Sequence, residues 1–151
     1  MRLWIFVKKL RNQLTLRKLR NQEEEVQKGV VKYLQLKYPK AKYCASLGGI
    51  RTSFKQAVKA KATGYVKGFP DLQICVPMER GVDGMEGEGG TRRGGTYHGL
   101  FLEIKKDKKS YPTKEQKEWI AYLNEQGYCA RVTKGLDESL AVIDAYFNKT
   151  I

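Results

Sequence analysis

The segment Leu100-Phe-Leu-Glu-Ile-Lys105 constrains the fold more than any other part of this sequence. Successive side chains of a strand point to opposite faces, so Leu100, Leu102 and Ile104 share one face, and Phe101, Glu103 and Lys105 share the other. The run is otherwise apolar, as is typical of a buried strand, where an unpaired charge is costly. We therefore expect a strand covered on both faces, in which the two charged residues have a specific purpose.

The neighbouring segments supply the remaining elements of a layered fold. Periodicity and capping signals predict helices over residues 3–20, 22–38, 54–62, 114–126 and 136–147, and strands over 43–46, 71–76 and 128–132. The order is that of an α/β fold, a mixed β-sheet flanked by helices (α-β-β-β-α-β-α), with the basic N-terminal helix in front. We expect a basic amphipathic extension over residues 1–21 and one domain over 22–151, interrupted by a flexible glycine-rich loop over 79–97.

The charge of the chain indicates a polyanionic partner. The net charge is +13, and lysine and arginine gain affinity for phosphates by releasing condensed counterions. Nucleic acid is favoured over an acidic membrane because no polybasic cluster adjoins a long apolar span. The N-terminal helix could bind DNA, a partner subunit or the rest of the core. The three cysteines are predicted to be small buried residues in a reduced compartment, and a zinc site is not expected.

Three residues of the two best-defined strands carry the candidate chemistry. Glu103 and Lys105 lie on one face of their strand, and Asp71 reaches Glu103 if the two strands pair as a hairpin. Two converging carboxylates are the hard oxygen ligands that Mg²⁺ prefers, and a lysine beside them can stabilise negative charge in a transition state. Two other interpretations stay open, a structural salt bridge between Glu103 and Lys105 and a simple strand-start role for Asp71.

The order and spacing of several motifs resemble those of a known family. The motifs are Gly64-Tyr-Val-Lys-Gly-Phe-Pro-Asp-Leu72, His98-Gly-Leu-Phe-Leu-Glu-Ile-Lys105, Thr113-x-x-Gln116-x-x-Trp119 and Gly127-Tyr128. Over residues 22–147 the chain is similar to the VRR-NUC family, virus-type replication-repair nucleases of the PD-(D/E)xK superfamily. The resemblance implies a restriction-endonuclease-like fold and a Mg²⁺-dependent endodeoxyribonuclease, with Mn²⁺ as a substitute metal and no small-molecule cofactor. It also implies action on branched or repair intermediates, a possible homodimer, and a cytoplasmic location in a bacterial or phage-infected cell.

The resemblance also implies roles for individual residues. Asp71, Glu103 and the Ile104 carbonyl would bind the metal, Lys105 would be the catalytic lysine, and Gln116 would support the site. Gln116 is equally the capping-box partner of Thr113, so both roles stay open. His98 is expected to be structural or to contact a phosphate.

One glutamate of the triplet Glu23-Glu24-Glu25 is expected to complete the site. At about 100° per residue, Glu23 falls within the apolar stripe of its helix, while Glu24 and Glu25 fall outside it. Glu23 is therefore the predicted ligand or metal-water contact, and the other two should be solvated.

Basic residues bracket the candidate site on both sides. We expect DNA-phosphate contacts from Arg51, Lys55, Lys67, Lys106, Lys108 and Lys109, with Lys59, Lys61 and Lys114 close to them in the sequence. The alternative to an enzyme is a basic DNA-binding module with a decayed nuclease site, and a membrane-surface protein that uses the first helix is a third possibility.

Overall fold

A computed structural model describes residues 22–46, 53–79 and 96–151 of the chain. The predicted N-terminal helix, Arg51 and most of the predicted glycine-rich loop lie outside these residues. The helices are α1 (Gln22–Lys37), α2 (Phe54–Ala62), α3 (Lys114–Glu125) and α4 (Leu136–Phe147). The strands are β1 (Tyr43–Ala45), β2 (Leu72–Ile74), β3 (Met78–Glu79), β4 (Thr96–Tyr97), β5 (Leu100–Lys105) and β6 (Cys129–Lys134).

The main sheet has the strand order β1-β2-β5-β6 and is mixed, as the sequence predicts. Strand β2 pairs antiparallel with both β1 and β5, whereas β5 and β6 run parallel. A parallel neighbour needs a crossover connection, and α3 supplies it between β5 and β6. Strand β5 therefore lies inside the sheet, with a partner on each edge.

Helices cover both faces of the sheet and form two cores. On one face the apolar stripe of α1 packs with α4 against the even-numbered residues of β5, Leu100, Leu102 and Ile104. On the other face Phe101 packs with Leu123 of α3 and Ala130 of β6. All six residues of β5 are buried, which places Glu103 and Lys105 at the end of the second core rather than in water.

Local signals predicted several element ends, and two capping boxes are present. Ser53 begins α2 and Thr113 begins α3, and each side chain accepts a hydrogen bond from the backbone of the third helical residue. Gly127 follows α3 with a positive φ of 83°, a conformation that glycine adopts without strain.

Helix α2 has the predicted bounds and buries none of its residues. Two expectations need correction. Pairing between β3 and β4 extends into both ends of the predicted loop, because Glu79 lies opposite Thr96. Cys129 is buried as predicted, but Cys44 lies on the edge strand β1 and Cys75 lies just beyond β2, and both are exposed.

Among the described residues, no helix combines the length and apolar character that a membrane crossing requires.

Candidate active site

Strand pairing brings Asp71 and Glu103 together. Asp71 immediately precedes β2, where Leu72 lies opposite Leu102 of β5. Because the two strands are antiparallel, one residue back from Leu72 in the sequence lies opposite one residue forward from Leu102. Asp71 therefore lies beside Glu103. The Ile104 N–H donates a 2.8 Å hydrogen bond to Asp71 Oδ2. Two carboxylates that are 32 residues apart in the sequence, at positions 71 and 103, therefore meet at one end of the sheet.

The loop before Asp71 is fixed by close packing against α3. Gly68 has a φ of +89°, and a Cβ on it would lie only 2.7 Å from Glu115 Cβ and 2.8 Å from the Glu115 carbonyl carbon. Phe69 packs edge-to-face on Phe101 and Trp119, with ring centroids 5.7 and 5.1 Å apart. Only glycine allows this close approach, so Gly68 and Phe69 fix the position of Asp71.

Glu103 is buried and its two oxygens have different environments. The carboxylate is 1% exposed. Its Oε1 lies 2.8 Å from Lys105 Nζ and also accepts a hydrogen bond from Gln116 Nε2. Its Oε2 accepts no hydrogen bond from a donor among the described residues, and the Asp71 carboxylate, itself an acceptor, can pair with Glu103 only through a proton or a cation. Buried polar atoms are almost always paired, so the unpaired oxygen marks a position for a ligand.

The ionisation of the two carboxylates reflects this crowding. Burial, with the adjacent charge of Asp71, raises the pKa of Glu103 to about 7, although Lys105 lowers it. Burial also raises the pKa of Asp71, against the opposing effects of the Ile104 N–H and Lys105. Two such groups resist being ionised together unless a proton or a cation lies between them. The pair is therefore a candidate cation site.

Gln116 makes the contacts that both interpretations of the sequence require. Its Oε1 accepts a 2.8 Å hydrogen bond from the Thr113 N–H, which completes the capping box. Its Nε2 donates to Glu103 Oε1. Because the cap fixes the amide, the start of α3 also fixes the orientation of the Glu103 carboxylate.

The helical wheel is right for Glu24 alone among the three acidic residues of α1: Glu24 is exposed as predicted, but Glu25 is half-buried although it was expected to be solvated. Glu24 and Glu25 form ion pairs with Lys28 at 2.7 and 3.2 Å. The charge of Glu23 acts on Asp71, where it raises the pKa. Glu23 lies in the first turn of the helix and is exposed, although its position in the apolar stripe predicted burial.

Sequence reasoning missed Gln27. Its Nε2 donates a 3.3 Å hydrogen bond to the Asp71 carbonyl, which also accepts a bond from the Ser46 N–H at 2.9 Å. The sequence signal that could have identified Gln27 is its spacing of four residues from Glu23, which puts both side chains on one face of the helix.

The predicted basic residues occupy different environments. Lys55 is exposed on α2, and Lys106, Lys108 and Lys109 are exposed in the turn after β5. Lys67 forms an exposed ion pair with Glu115 at 2.9 Å, so its charge is partly neutralised. His98 packs edge-to-face on Tyr128, and its backbone N–H donates to the Gly127 carbonyl.

The part of the chain that the structure describes holds no group of three or more His, Cys, Asp and Glu side chains arranged for a metal. The candidate cation site offers two carboxylates, Asp71 and Glu103, together with the unpaired Glu103 Oε2. A Mg²⁺ ion retains several waters and is commonly bound through one or two carboxylates, so this donor set suits it.

Comparison with known proteins finds similar chains among solved structures. No family model and no curated protein matches the sequence. A solved structure titled "VRR_NUC domain protein" is 34% identical, with 88% of this chain and 92% of that chain covered and a TM-score of 0.57. Another, titled "VRR_NUC domain", is 18% identical and covers 83% of this chain and 97% of that chain, with a TM-score of 0.49.

Proposed function

This chain belongs to the VRR-NUC family and is a nuclease of that type, and we propose how it acts. We infer that it is a divalent-metal-dependent endonuclease that hydrolyses DNA phosphodiester bonds. Its proposed substrates are branched replication or repair intermediates, including four-way junctions. The observation that carries the proposal is the buried, unpaired Glu103 Oε2 beside the Asp71 carboxylate.

Mg²⁺ is the proposed metal, and Mn²⁺ should replace it. Asp71 and Glu103 would hold it, with the Ile104 carbonyl, which shares a strand edge with the N–H that donates to Asp71. Glu23 would contribute through water from α1. When bound, such an ion polarises the scissile phosphate and lowers the pKa of a water molecule.

The remaining site residues orient groups and balance charge. Lys105 is held 2.8 Å from Glu103 Oε1, so its ammonium is fixed before the substrate arrives. A preorganised cation in a site shielded from water stabilises negative charge that develops on the phosphate. Gln116 acts as a positioning residue, because its bond to Oε1 holds the carboxylate while Oε2 accepts no hydrogen bond.

The charge distribution supports DNA as the substrate. Residues 26–70 contain ten lysines and arginines and no acidic residue. Exposed lysines also follow β5 directly, next to Lys105. Phosphate contacts of this kind position a duplex without reading its sequence. The proposal also includes a homodimer, a cytoplasmic location and a basic extension over residues 1–21.

A structural ion pair between Glu103 and Lys105 accounts for fewer observations. A simple Glu103–Lys105 pair explains the 2.8 Å contact. It does not explain why a second carboxylate raises the pKa of Glu103 or why Oε2 is left unpaired. Both observations fit a site that receives a cation.

A cleavage assay on plasmid, flap and four-way-junction DNA tests the proposal. We expect cleavage in Mg²⁺ and Mn²⁺, none in EDTA, and none with Asp71→Asn or Lys105→Ala. DNA binding in Ca²⁺ should stay within about threefold for both variants, because neither alters the phosphate contacts that dominate affinity. Cleavage by either variant at the wild-type rate would refute the mechanism.

A further inference from the structure

Tyr111 is an exposed aromatic residue that is nevertheless held in place. It lies in the connection between β5 and α3, and it is 72% exposed. Lys134 Nζ lies 4.3 Å from the centre of its ring. A cation over one ring face is an attractive contact that fixes the ring without burying it. One face of Tyr111 is therefore occupied by the ammonium, while most of the side chain remains open to solvent.

The parallel ladder places this ring beside the candidate active site. Lys134, the last residue of β6, lies opposite Lys105, the last residue of β5. Neighbouring strands lie about 4.8 Å apart, and paired residues project from the same sheet face. Lys134 therefore shares a face with Lys105 and Glu103. Phe101 and Ala130, an earlier pair in the same ladder, both contribute to the core on that face.

Both ends of the connection that carries Tyr111 are fixed by hydrogen bonds. On one side Asp107 Oδ1 accepts bonds from the Lys109 N–H and the Ser110 hydroxyl, each at 2.9 Å. On the other side the Thr113 capping box begins α3. The exposed ring is thus presented by a defined loop.

The ring and its lysine match the chemistry of an unpaired nucleotide. Stacking on an aromatic side chain is how proteins bind unpaired bases, since every base has a π face, and a lysine beside the ring suits the phosphate. A base inside an intact duplex offers no free face to such a ring.

We propose that Tyr111 and Lys134 form a nucleotide platform that binds an unpaired base next to the bond that is cut. The proposal rests on the proposed function and refines it, because it makes single-stranded or junction DNA with an unpaired base the preferred substrate. The base stacks on the open face of Tyr111, and its phosphate lies beside Lys134.

Binding in EDTA tests the platform independently of cleavage. The probes are a fluorescently labelled single strand and a blunt duplex of the same sequence, measured by anisotropy. Tyr111→Ala should weaken single-strand binding about tenfold and duplex binding less than about twofold, as expected for the loss of one stacked base. Tyr111→Phe should retain wild-type affinity, because it retains the ring. Lys134→Gln should also weaken single-strand binding, because it removes the positive charge. Lys134→Arg should keep wild-type affinity, because it retains that charge.

Tyr122 provides a matched control. It is also an exposed tyrosine, at 53%, but its ring packs on Trp119 of the same helix. Tyr122→Ala should leave both affinities unchanged. Wild-type single-strand affinity in Tyr111→Ala, or equal losses for single strand and duplex, would overturn the platform. Absence of cleavage by the wild type would refute the proposed function instead, while the affinities in EDTA would still decide the platform.

Discussion

Each face of the sheet carries a cluster of polar residues around one carboxylate. The two clusters differ in how many of the carboxylate oxygens have a hydrogen-bond or ion-pair partner. On the α1/α4 side, Asp144 accepts hydrogen bonds from the Tyr33 and Tyr38 hydroxyls, at 2.7 and 2.8 Å, and pairs with Lys37 at 2.8 Å. On the other side, Glu103 has two partners on Oε1 and none on Oε2 within the described residues.

The pKa values of the two carboxylates shift in opposite directions. Burial raises the pKa of Asp144, but Lys37 and the two tyrosine hydroxyls outweigh it and the net shift is downward. Burial and Asp71 together raise the pKa of Glu103 to about 7. A carboxylate with every oxygen paired stabilises the fold, whereas one that is buried with an open oxygen costs stability until a ligand arrives.

Activity should show the largest difference between the two clusters. Glu103→Gln should reduce the cleavage rate in Mg²⁺ by at least about 100-fold, the scale seen when one electrostatic group of an active site is removed. Asp144→Asn should leave the rate within about twofold below its melting temperature, because Asp144 lies on the opposite face of the sheet. Single-turnover kinetics on one junction substrate measure both. Equal losses of cleavage rate in Glu103→Gln and Asp144→Asn would contradict the division into a functional cluster at Glu103 and a structural cluster at Asp144.

Stability in metal-free buffer should show the reverse difference. Asp144→Ala leaves Tyr33, Tyr38 and Lys37 without their shared acceptor, so it should lower the free energy of unfolding by about 1–3 kcal/mol. Asp71→Asn retains an acceptor for the Ile104 N–H and removes a repulsive charge, so it should match or exceed the wild type. Urea denaturation followed by circular dichroism gives both values, and a less stable Asp71→Asn protein would contradict the repulsion inferred at the site.

Single Gln substitutions at the three acidic residues of α1 extend the comparison. Glu23→Gln should lower the cleavage rate at saturating Mg²⁺ by about tenfold, the scale of an outer contact to a metal site. Glu24→Gln and Glu25→Gln should have little effect, because both side chains pair with Lys28. If Glu24→Gln were the damaging change, the assignment of Glu23 to the site would be wrong.

The smallest expected effect is on acid stability. The folded-state pKa of Asp144 lies below its ordinary value of 3.8, so its contribution is complete above pH 3.8 and is lost as the pH falls through the lowered value. The difference in melting temperature between the wild type and Asp144→Ala should therefore be largest above pH 3.8 and should narrow as the pH falls below it. A constant gap between their melting temperatures down to the lowest pH would exclude this ionisation as the cause.

Sequence patterns predicted that Asp71, Glu103 and Lys105 lie together because the determinants of this arrangement are local. Period-two alternation put Glu103 and Lys105 on one face, and capping boxes fixed the starts of α2 and α3. Pairing of neighbouring strands then brought Asp71 to Glu103. Each step depends on residues that are close in the sequence or on adjacent strands, so periodicity sufficed.

The Asp144 cluster could not be predicted, because its partners are distant in the sequence. Tyr33 and Asp144 are separated by 111 residues, and no periodic pattern relates positions on two helices that meet only through tertiary packing. The two exposed cysteines were mispredicted for a related reason: strand-like apolar runs do not reveal which strand is at an edge. The unpaired oxygen of Glu103 likewise follows from the placement of Gln116 and Lys105, which only coordinates reveal.

Direct measurement of metal binding tests the central claim that the Asp71–Glu103 pair is a cation site. Titration of Mn²⁺ into the DNA-free protein, followed by electron paramagnetic resonance of the free ion, should give saturable binding for the wild type and for Asp144→Asn. Glu103→Gln should bind at least about tenfold more weakly, by analogy with the loss caused by removing groups that support a metal. Equal affinity of Glu103→Gln and wild type would contradict the claim, and so would a loss in Asp144→Asn as large as that in Glu103→Gln.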